Sequence, residues 1–95
     1  MIYEWDPRKA KANLRKHRVS FEDAATVFLD PFAVTYPDPD HSEEEFREIT
    51  VGHSAKLGVI FVYHTQRGNR VRIIGARKAN GKERKQYEEG IDEKK

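Results

Sequence analysis

The sequence predicts a single α+β domain spanning residues 1–95: two N-terminal helices, four consecutive strands in an antiparallel meander, and a C-terminal helix, with the helices packed on one face. Three observations predict it. Residues 6–30 set apolar side chains at helical spacing between recognisable start and stop signals. Residues 32–74 change to short apolar or alternating runs broken by Gly, Pro and Asp. The runs are close in sequence, which favours neighbouring antiparallel strands over long crossovers.

The first helix starts at Asp6-Pro7. An Asp side chain accepts from the free backbone N–H groups of a first turn, and Pro lacks only a donor that has no partner there. Ala10, Leu14 and His17 then form a narrow stripe on an otherwise basic helix ending near His17, where the dipole favours a cationic residue. Ser20 caps the second helix, with Asp23 three residues on as a weak capping box. Ala24, Ala25, Val27, Phe28 and Leu29 bury most of that helix, and Asp30-Pro31 ends it.

Phe32–Tyr36 is the first predicted strand, closed by the loop Pro37-Asp38-Pro39-Asp40. Phe46–Val51 is the second, with Ile49 and Val51 on one side and Glu48 and Thr50 on the other. After a turn from Gly52 to Gly58, Val59–Thr65 is apolar on both faces and belongs in the middle of the sheet. The loop Gln66–Asn69 leads to Arg70–Ile74, where alternation puts Val71 and Ile73 on the core face and Arg70, Arg72 and Ile74 opposite. Gly81–Glu89 reads as a short charged helix, and about residues 90–95 as a flexible tail.

Composition narrows the function. The 95 residues carry 37% hydrophobic and 36% charged side chains, with a mean hydropathy of −0.88, enough for one small core. The longest apolar run, Val59–Tyr63, is far short of the ~20 residues of a membrane span, and residues 1–6 lack the pattern of a signal peptide. There is no cysteine, so disulfides, thiolate chemistry and Cys-ligated zinc are excluded and a cytoplasmic location is expected. The net charge of +2 hides strong segregation. Arg8–Arg18 holds six basic residues and no acid, Asp38–Glu48 totals −5, and Arg67–Lys85 totals +7. Basic stretches of that kind fit a polyanion partner.

The C-terminal cations are the leading candidates for chemistry. They are His64, Arg67, Arg70, Arg72, Arg77, Lys78, Lys82, Arg84 and Lys85, with Tyr87 three residues after Arg84 on the last helix. RNA cleavage by its own 2′-OH needs a proton acceptor, fixed cations around the phosphoryl oxygens, and a proton donor for the leaving oxygen. Arg and Lys supply the second need, and His64, Tyr87 or an acid near Glu45 the others. The acidic stretch Asp38, Asp40, His41, Glu43, Glu44, Glu45 is open to three readings: a solvated acidic loop, a docking surface for a basic partner, or a metal site for nuclease chemistry. Pro37-Asp38 with Glu83-Arg84-Lys85 is only poorly similar to PD-(D/E)xK nucleases, because the second element falls in a helix. His17, His41, His53 and His64 form no zinc-ligand spacing, and no Walker, dinucleotide-binding or serine-hydrolase motif occurs. A non-catalytic nucleic-acid-binding module is the remaining alternative.

Several stretches together resemble one family. Trp5-Asp6 with Lys9 or Lys11 and Asn13, Lys16-His17, Val19, Phe21-Glu22, Ala24, Val27-Phe28 and Asp30-Pro31 resemble the N-terminal half of BrnT toxins. Arg47, Ile49, Gly52, His64-Thr65, Arg67, Arg72-Ile73-Ile74, Ala76-Arg77-Lys78-Ala79, Glu83-Arg84 and Tyr87-Glu88 resemble the C-terminal half. The resemblance implies a RelE-like fold and a type II toxin that cleaves RNA endonucleolytically without a metal or other cofactor and so inhibits translation. It also implies a BrnA-like antitoxin, through which alone the complex reaches operator DNA. On this reading Arg77, Lys78, Arg67, His64, Arg84 and Tyr87 are catalytic and Arg70, Arg72, Lys82 and Lys85 bind RNA, while Asp38, Asp40, Glu43 and Glu44 meet the antitoxin. Arg18, Gly75 and Asn80 depart from the family pattern, which commonly has Gly, Ser and a more basic run there. Were position 18 left-handed, Arg would cost ~1 kcal/mol relative to Gly.

Overall fold

A computed structural model describes residues 1–40 and 46–94. The elements are β1 (Ile2–Glu4), α1 (Pro7–His17), α2 (Phe21–Ala25), a 3-10 turn (Thr26–Leu29), β2 (Val34–Pro37), β3 (Arg47–Ser54), β4 (Gly58–Arg67), β5 (Arg70–Lys78) and α3 (Gly81–Lys94). The helix starts follow their capping chemistry. Asp6 accepts from Arg8 N at 2.8 Å, and Ser20 Oγ from Asp23 N at 3.0 Å. Arg18 closes α1 in the left-handed conformation at φ 61°, its N–H bonded to Leu14 O, a conformation in which Arg costs more than Gly.

The sheet corrects the expected four-stranded antiparallel meander. Five strands lie in the order β1-β5-β4-β3-β2, and β1 pairs parallel with β5, so the sheet is mixed. A three-residue strand whose partner is far along the chain carries no hairpin signal, which is why residues 2–4 did not read as a strand. β4 is central, as its two apolar faces require.

The helices also divide between the two faces instead of sharing one. On the first face α1 and α2 cover Ile60, Val62, Ile73 and Ala76 together with Val19, Phe21, Ala24 and Val27. Asn13 ties α1 to β5: its amide donates to Val19 O and Ala76 O, and its oxygen accepts from Ala76 N. On the second face α3 sets Tyr87 and Ile91 against Ile49, Val51, Val59 and Phe61. α3 runs through Lys94, beyond the expected end at Glu89. Its start is a reciprocal capping box: Glu83 N donates to Asn80 Oδ1 at 2.8 Å and Asn80 N to Glu83 Oε1 at 2.9 Å.

Two irregularities set which side chains share a face. Strands β4 and β5 run to Arg67 and from Arg70, so their turn is Gly68-Asn69 alone, with Gly68 at φ 62°. Beyond it the register slips by one residue, Tyr63 pairing with Gly75 but His64 with Ile73, and Ile74 is the extra residue of a β-bulge. Arg77 and Lys78, expected just past the last strand, are both within β5. The bulge changes the alternation phase, so Arg77 rather than Lys78 joins Arg70 and Arg72.

Candidate active site

The half of the second sheet face not covered by α3 is cationic and aromatic. Register sets Arg67 opposite Arg70, then Arg72, Thr65 and Arg47 in one row across the strands. Gly75, Tyr63, Ile49 and Tyr36 form the next row, and Arg77, Phe61, Val51 and Val34 the one after. Like charges directly opposite on paired strands are destabilising. Glu4, which accepts from Arg70, offsets part of that repulsion.

Arg77 is the most firmly held side chain of this face. Its guanidinium lies 4.3 Å above the Phe61 ring. Nη1 and Nη2 donate to the two Glu83 carboxylate oxygens at 2.9 Å each. Nε donates to Tyr63 Oη and Nη1 to Lys78 O, both at 3.3 Å. One of its five N–H donors then has no partner among the described residues. The Arg77 pair holds the Glu83 carboxyl down at about 2, and the Glu83 hydrogen bonds raise Arg77 above its ordinary value. Burial pushes the Tyr36 hydroxyl up, Tyr63 adds to this, and Arg77 opposes it. Tyr36 and Tyr63 thus belong to the electrostatic neighbourhood of Arg77.

At the other margin Glu4 of β1 bridges two arginines, accepting from Arg72 at 2.7 Å and Arg70 at 3.4 Å. The Arg72 hydrogen bond is the main force lowering the Glu4 pKa. Glu4, Arg47, Tyr36, Tyr63 and the clamping role of Glu83 were not singled out from the sequence as site features. The alternation signal sufficed for Tyr63, because it stands on β4 in phase with Phe61. Glu4 was hidden with the rest of β1.

The expected residues separate. Arg67, Arg70, Arg72 and Arg77 come together. Lys78 follows Arg77 on the opposite phase of the strand and is exposed. Arg84 is exposed on α3 and pairs with Glu88 at 3.6 Å, and Lys82 and Lys85 are exposed beside it. Tyr87 does not share Arg84's exposure: it is buried against the sheet, and its hydroxyl donates to Asp30. Burial, then the Asp30 hydrogen bond, raises the Tyr87 pKa. Burial also acts to raise Asp30, but hydrogen bonds from Tyr87, His53 N and Phe32 N outweigh it and keep the carboxyl low. Asp38, expected on a docking surface, is buried instead, accepting from Asp40 N at 3.0 Å, while Asp40 is exposed. His41, Glu43, Glu44 and Glu45 lie outside the described residues. Among the described residues no group of three metal-ligating side chains assembles.

His64 faces the other way. It pairs with Ile73 on the α1/α2 side, 5% exposed, edge-on to Phe28 at 5.0 Å and hydrogen-bonded to Thr50 Oγ1 at 2.7 Å. Burial lowers its pKa from 6.5 to about 4. The unfolded chain therefore takes up the proton first as pH falls. The stability gained by keeping His64 neutral is complete above about pH 6.5 and is lost toward pH 4. Thermal melts should show Tm falling across that window, by on the order of 1 kcal/mol of stability per pH unit at the steepest point. A His64→Gln variant should flatten this segment; an unchanged profile in the variant would show that His64 is not its source.

Together the mixed sheet, the open arginine face and the clamped guanidinium define a small α+β protein with a strongly cationic sheet face. Comparison with known proteins gives that class its family. The model described as "Ribonuclease toxin, BrnT, of type II toxin-antitoxin system" matches residues 5–83, and the chain belongs to this family of ribonuclease toxins. The crystal structure of the Brucella abortus ribonuclease toxin BrnT superposes with a TM-score of 0.66 at 23% identity, covering 84% of this chain and 99% of that one. The two share the fold. Among curated proteins none matches the sequence.

Proposed function

We propose that this toxin is an endoribonuclease of RelE-like, metal-independent mechanism, with the open face of β3–β5 as its active surface. One observation carries the assignment: Arg77 is fixed over Phe61 by Glu83 and Tyr63 at the border of an arginine field. A guanidinium already oriented before substrate arrives stabilises charge developing on the phosphoryl oxygens without reorganising. Arg72, Arg70 and Arg67 bind the scissile and neighbouring phosphates, and Lys82, Arg84 and Lys85 extend the basic margin, with Lys78 at the end of β5 on its opposite phase. Tyr63, whose hydroxyl touches Arg77 Nε, is the side chain best placed to pass a proton. His64 and Tyr87, on the far face and bonded to Asp30 respectively, support the fold in this reading.

The RNA cleaved by such an enzyme stops serving translation. A BrnA-like antitoxin neutralises it, with Asp40 and the acidic segment 43–44 receiving a basic part of that partner, and operator DNA is reached only through the antitoxin. The test is incubation of the purified protein with RNA in EDTA. Cleavage that persists supports metal-independent chemistry. Cleavage silenced by EDTA and restored by Mg²⁺ would transfer the activity to a metal site, and RNA retained without cleavage would make the protein a binding module.

A further inference from the structure

The strongest charge on the molecule outside the site is on α1, across the sheet from it. Arg8, Lys9, Lys11, Arg15, Lys16 and Arg18 are all exposed. Asp6, the nearest acid, is engaged as the helix cap and lies 3.7 Å from Arg8. No carboxylate pairs with Lys9, Lys11, Arg15, Lys16 or Arg18 among the described residues. Arg8, Lys11, Arg15 and Arg18 follow one another at spacings of three and four, which makes a row about 15 Å long at the rise of an α-helix.

Folding alone does not account for this row. Like charges three and four residues apart repel on a helix surface. Cations in the first turn oppose the helix dipole, and α1 has no acid there. At the other end Arg18 takes a left-handed backbone, which disfavours any residue with a Cβ. The dipole favours Arg15 in the last turn, but these three features each cost stability and all keep positive charge in line. The helix contributes no fully buried residue, and beside the cations it exposes Ala12 and a single large apolar side chain, Leu14, 48% exposed, too little for an apolar centre. A protein interface needs an apolar centre, whereas nucleic-acid interfaces are polar and strongly positive.

We infer that the Arg8-Lys11-Arg15-Arg18 row of α1 is a second RNA-binding surface, which holds the phosphate backbone of long substrates outside the cleavage site. It rests on the ribonuclease reading only for its substrate. α1 packs on β5, the strand that carries Arg70 and Arg72 on the opposite face. One RNA passing around the β1 edge therefore reaches both surfaces.

The test uses the full chain and a triple variant, Arg8→Gln, Lys11→Gln and Arg15→Gln, at exposed positions where Gln is a good helix former. Binding is measured to a long single-stranded 2′-O-methyl RNA, which lacks the attacking hydroxyl. Losing three phosphate contacts should lower the log K against log salt slope by about 2, and weaken binding roughly 100-fold at 0.1 M salt. Tm should stay at or above that of the unaltered protein, because repulsion is removed. Cleavage of a short oligonucleotide should keep its kcat/KM, while KM for long RNA rises. An unchanged affinity and salt slope would overturn the inference. So would displacement of the RNA by poly-glutamate as effective as by RNA itself, which would assign the row to an acidic polypeptide. Since binding is read without turnover, a protein that binds through α1 but cleaves nothing sinks the ribonuclease reading and leaves this one standing.

Discussion

Replacing Arg77 by alanine should lower RNA cleavage by about 100- to 1,000-fold, the usual effect of removing one fixed donor that stabilises transition-state charge. The structure makes this site more sensitive than its neighbours. Arg67 is exposed on the hairpin and Arg70 is more than half exposed, so both are held by less of the protein and discriminate less between ground and transition states. Arg77 is fixed by a bidentate carboxylate, a tyrosine hydroxyl and an aromatic ring. Its loss would also leave the Glu83 carboxylate, 23% exposed, without its paired cation. Arg77→Lys should recover little, because an ammonium cannot span both Glu83 oxygens while donating to Tyr63. The readouts are single-turnover cleavage and growth arrest at equal soluble protein. Wild-type arrest by the alanine variant would remove Arg77 from the mechanism.

Phe21→Ala should destabilise the domain by about 3–5 kcal/mol, the cost of truncating a buried aromatic ring. Phe21 is the largest fully buried side chain. It opens α2, meets Trp5 edge-on at 5.9 Å, and lies in the cluster with Ile60, Val62 and Ile73 beneath the sheet. For a domain of this size that loss lowers Tm by at least ~12 °C, a large share of an ordinary domain's total stability. A denaturant melt measures it directly. Toxicity should vanish with the folded population at raised temperature and survive when the protein is kept cold. The Arg77 variant fails at both temperatures.

Local chemistry was the part of this fold that the sequence displayed. Asp6-Pro7 and Ser20 mark helix starts because capping involves residues within three positions of each other. Val59–Thr65 declared itself central because neither of its faces is polar. β1 was invisible because a parallel partner nearly seventy residues away leaves no local trace. The bulge at Ile74 was equally silent, since two adjacent isoleucines satisfy either phase of the strand. That one residue decides whether Arg77 or Lys78 joins Arg72, so the composition of the site was legible but its geometry was not. His64 was recoverable. The alternation that buries Val71 and Ile73 buries His64 too as the cross-strand partner of one of them, for a two-residue hairpin loop or for the four-residue loop Gln66–Asn69. The charge segregation held most of the functional information: the basic stretch from Arg67 to Arg77 is an open face, and the basic stretch from Arg8 to Arg18 is the outside of a helix on the other side.

The most direct measurement on the central claim is the chemistry of the cut ends. RNA cleaved by this protein in EDTA should carry 2′,3′-cyclic phosphate and 5′-hydroxyl termini, because the neighbouring 2′-OH is the nucleophile and arginines alone stabilise the phosphoryl oxygens. Termini bearing a 5′-phosphate and a 3′-hydroxyl would mean that water attacked instead, and would contradict the mechanism built on Arg77.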